Sequence, residues 1–118
     1  MNKYLTMFNE ITKKLEEKFG YSRYSILSKL QISAEMESIL GWEEFENVEL
    51  TDKEQEELIE IIYEIYMDSE NDLGVFEPTK AVMETLLKDY KGNYKVFKND
   101  YTLNNSKVYD KIVWKLDY

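Results

Sequence analysis

At 118 residues the chain is long enough for one domain with its own buried core and needs no second one. Its 43% hydrophobic and 33% charged residues, with ten Tyr, five Phe and two Trp, exclude a disordered chain, and a net charge of −9 points away from polyanionic partners. With no Cys and no His there can be no disulfide, thiolate nucleophile or zinc-thiolate site, and the commonest general base and transition-metal ligand are missing.

Tyr4, Phe8, Ile11, Leu15 and Phe19 recur at helical spacing, and Gly20 stands where a left-handed cap would end the helix, so a first helix is expected over residues 2–19. No signal peptide is expected at this end, because Asn9 and Glu10 interrupt any apolar stretch. Ile26, Leu27 and Leu30 predict a short second helix capped by Ser22. A third begins at Ser33, turns Met36, Ile39 and Leu40 inward and stops at Gly41.

Residues 15–26 have the layout of a helix-turn-helix, with Gly20 in the turn and Ile26 holding the second helix down. Glu16 occupies the close approach of the two helices, where a small residue is required, and Lys29 falls where an apolar residue usually packs. Arg23 is the chain's one arginine, and base reading leans on arginine's bidentate fork. Nucleic-acid binding is therefore not expected, although a helix-turn-helix DNA-binding regulator stays open as a third alternative.

Residues 42–50 form a loop or short strand with Trp42, Phe45 and Val48 as anchors among Glu43, Glu44, Glu46 and Glu49. Thr51 followed by Glu54 is a capping box, the start of the most firmly signalled helix. Its apolar residues Leu58, Ile59, Ile61, Ile62, Ile65 and Tyr66 make an arc wide enough to be covered on two sides, so a central position is expected. A polar turn follows, in which Asp68, Glu70 and Asp72 alternate as in a calcium loop. The glycine comes one residue late, at Gly74, and Thr79 stands where a bidentate Glu belongs. Pro78 suits the first turn of another helix with Val82, Met83, Leu86, Leu87 and Tyr90 as its stripe, and Gly92 can terminate it.

Towards the C-terminus, Val108, Ile112, Trp114, Leu116 and Tyr118 keep a two-residue period that predicts a strand, paired with residues 94–98 through Asn104 and Asn105. Val108, Tyr109, Ile112, Val113 and Leu116 would also satisfy a helix, but the β-branched and aromatic content favours the strand. The expected fold is therefore α+β and mainly helical: four or five helices with a C-terminal β-hairpin, the alternative being an all-α bundle.

Charge is divided along the chain. Residues 1–30 carry six basic side chains against three acids, residues 31–77 sixteen acids against Lys53 alone, and residues 78–118 eight Lys against five acids. On the capping-box helix Glu56, Glu60 and Glu64 follow at i, i+4 and i+8 with Glu57 beside them, and each like-charged pair costs about 0.2–0.5 kcal/mol. Acids in the first turns gain from the helix dipole, whereas Glu60 and Glu64 lie nearer its negative end. Either the basic ends of the chain fold back onto this ridge, or the ridge faces a partner.

No Gly-rich phosphate loop, activated nucleophile or distinctive carboxylate pair is present, so neither enzymatic activity nor a cofactor or metal is expected. The residues point to a small cytoplasmic module, not membrane-bound, that engages a basic protein partner through Glu56, Glu57, Glu60 and Glu64. In size, acidity and lack of catalytic side chains the chain is similar to bacterial immunity proteins and phage-encoded inhibitors of host defence, a likeness of composition alone. A self-associating structural protein, with the acidic middle of one copy on the basic end of the next, is the alternative, so a homo-oligomer is also open.

Overall fold

A computed structural model describes residues 23–68, 74–103 and 105–116, with side chains from residue 27 onward. The described residues form five α-helices and one short 3-10 turn and contain no strand. The expected C-terminal β-hairpin is therefore corrected to helix, and the alternative, an all-α arrangement, fits. The expected helix over residues 2–19 lies outside the described residues.

Helix α1 (Arg23–Leu40) replaces the two short helices expected in this region. No Gly or Pro falls between its ends, so nothing stops a helix once begun. Ser33, read as the start of a new helix, is instead buried in mid-helix, alongside Leu30, Ile32, Met36 and Ile39. The helix closes at Gly41, whose N–H donates to the Ser38 carbonyl (3.1 Å), and a 3-10 turn follows at Glu43–Phe45.

Helix α2 (Asp52–Asp68) starts with the predicted capping box. The Glu54 N–H donates to Thr51 Oγ1 (3.1 Å) and the Thr51 N–H to Glu54 Oε1 (3.0 Å), so two end-of-helix donors are satisfied reciprocally. Its core face is Leu58, Ile59, Ile62 and Ile65. Thr51→Ala is expected to lower stability by about 1 kcal/mol, read as a shifted urea midpoint at constant m; an unmoved midpoint would mean that water caps the helix equally well.

Helix α3 (Phe76–Tyr90) packs against α1 and α2 and against both helices that follow it, so the central place expected for α2 belongs to α3. α2 itself is covered by α1 and α3. Pro78 sits in the first turn as expected, where a missing N–H leaves no helical bond unmade. The buried hydroxyls of Thr79 and Thr85 donate to the carbonyls of Val75 (2.6 Å) and Ala81 (2.8 Å), so neither is stranded in the core. The helix ends where Lys91 (φ 52°) and Gly92 (φ 80°) turn left-handed and both N–H groups reach the Leu86 carbonyl. Gly92 is required twice over, since a Cβ there would also come within 3.2 Å of Val48 Cγ2.

Helices α4 (Tyr94–Asp100) and α5 (Lys107–Leu116) occupy the segments expected to pair as strands. Each has its own polar cap. Asn93 Oδ1 accepts from the Val96 N–H (3.3 Å), and Ser106 Oγ accepts from the Tyr109 N–H (3.1 Å). Val108, Ile112 and Leu116, spaced by four, are the buried residues of α5, and Trp114, which a strand would have turned inward with them, is 65% exposed. Among the described residues no helix is long and apolar enough to cross a membrane.

Candidate functional site

The four ridge glutamates of α2 differ in their surroundings. Glu57 has both oxygens engaged by α4: Oε1 accepts from Lys98 Nζ at 2.7 Å and Oε2 from the Tyr94 hydroxyl at 3.1 Å. The Lys98 hydrogen bond is the main reason its carboxyl is held below the usual 4.5. Glu60 accepts from Lys29 Nζ of α1 at 2.9 Å, and the same ammonium lies 5.0 Å from the centroid of the Tyr63 ring. The lysine that falls where an apolar residue usually packs thus places its ammonium over a ring and pairs it with a carboxylate of α2. Glu56 is half-buried and Glu64 exposed. A lysine from before the acidic middle and one from after it therefore both fold back onto the ridge.

Four phenols are bound up with the same carboxylates or their neighbours. The Tyr94 hydroxyl donates to Glu57, that of Tyr90 to Asp100 at 2.9 Å, and that of Tyr109 to Asp68. The Tyr101 hydroxyl is buried without a hydrogen bond, with the Glu64 carboxylate nearby. Burial first, and the facing carboxylates second, push Tyr90 and Tyr109 up to about 12 and raise Tyr94 and Tyr101 further still. A tyrosine whose folded pKa exceeds its unfolded value of 10 stabilises the fold below pH 10 and loses that contribution as pH climbs through the folded value. At pH 11 these four phenols are expected to stay protonated in the native protein and to ionise on unfolding. A step in 295 nm absorbance on adding urea at that pH, smaller in the protein with Phe at the four positions, checks this.

A second acidic group was legible only as a loop. In the turn after α1, Phe45 is 1% exposed and Trp42 packs edge-on against it, ring centroids 6.4 Å apart, as the anchor expectation had it. That burial turns Glu43, Glu44, Glu46 and Glu49 outward, where they are exposed and make no ion pair with any described residue. The signal that could have marked them is the alternation of acids around Phe45 and Val48 in a segment with no lysine.

Most of the helix-turn-helix candidate, residues 15–22, lies outside the described residues, as do Glu70 and Asp72 of the calcium-loop candidate. Among the described residues no three carboxylates converge in a way that could hold a metal ion. In comparisons with known proteins the chain matches no family, no curated protein and no solved structure.

Proposed function

We propose that this chain is a protein-binding module whose acidic surface engages a basic partner, acting as a stoichiometric inhibitor that occupies a nucleic-acid-binding or catalytic cleft. The supporting observation is the turn carrying Glu43, Glu44, Glu46 and Glu49, four exposed carboxylates without a described cation, on a short segment anchored by Phe45. An anchored turn loses little freedom on binding, so its charges act both in steering and in the complex. Glu56, Glu57, Glu60 and Glu64 extend the surface along the chain. There a partner's arginines would exchange with Lys29 and Lys98, an ion-pair swap at partly exposed sites that costs little.

The test is quantitative capture of host proteins on the immobilised chain at 0.1 M salt, wild type against Glu44→Lys/Glu46→Lys. A basic protein recovered in fixed ratio by the wild type and at least tenfold less by the variant is the expected result. Equal recovery by both, or recovery of no basic protein, would rule the proposal out.

A further inference from the structure

We draw no further inference here: the strongest candidate, the hollow of about 390 Å³ at the N-terminal end of α5 bordered by Ser106, Lys107 and Lys111, rests on a helix N-terminus and two surface lysines, with Asp100 standing in it and nothing else in the structure pointing to a ligand there.

Discussion

Phe97→Ala should destabilise the fold by about 3–5 kcal/mol, the largest single-residue loss expected. Phe97 is fully buried in α4, a helix of seven residues. So short a helix has no stability of its own in water and persists only through what it packs against. Phe97 provides that packing: its ring lies edge-on to Tyr90 at 5.6 Å, stacked on Tyr101 at 6.0 Å and near Tyr94 at 6.4 Å. Removing it leaves a cavity and deletes aromatic pairs each worth roughly 0.5–1.5 kcal/mol beyond area. A domain of this size has about 6–15 kcal/mol in total, so much of the native margin would go. Phe97→Leu fills most of the volume and should lose clearly less. Urea melts at equal m for the three proteins decide the matter. A loss below about 1.5 kcal/mol for the alanine variant would show that α4 is held by its charged contacts instead.

The same segment shows where the sequence was legible and where it was not. The capping box of Thr51 and Glu54 needs only two residues three apart, and it could be read directly. The C-terminal segment carries two periods at once, and its β-branched and aromatic content favours the strand. The local signals against that choice were Asn93 and Ser106, each placed to cap a helix, and a strand would also have needed a partner that α4 does not provide. Ser33 is the opposite case: serine often begins a helix, but no glycine or proline interrupts the chain around this one, and the helix runs through it. The pairing of Lys29 with Glu60 and of Lys98 with Glu57 was beyond reach. The sequence showed which segments carry opposite charge, but which side chains meet depends on how α1 and α4 pack around their neighbours.

Glu57→Ala is expected to cost about 2 kcal/mol, through the Tyr94 hydroxyl more than through the ion pair. The pair with Lys98 is partly exposed, with side chains 30% and 53% accessible, and such pairs contribute about 0–1 kcal/mol. Tyr94 is 4% exposed, and stranding its hydroxyl without an acceptor costs roughly 1–3 kcal/mol more. Glu57→Gln has a single acceptor oxygen; turned towards the Tyr94 hydroxyl it keeps that hydrogen bond while its NH2 faces Lys98, so the variant removes the ion pair and its charge. Because the folded carboxyl is held below 4.5, its charge stabilises the fold fully above that value, and the contribution disappears as pH falls through the lowered folded value. Stability measured from about pH 6 to pH 3 should therefore fall more steeply for wild type than for the glutamine variant, with the two curves converging in acid. Parallel curves would mean that Lys98 does not hold Glu57 in solution. The result also decides how partner binding must be probed. Reversal at Glu57 or Glu60 breaks a tie between helices as well as altering the surface, so any lost affinity would be confounded with lost fold. Glu44 and Glu46 have no such tie among the described residues, and their reversal reads the surface alone.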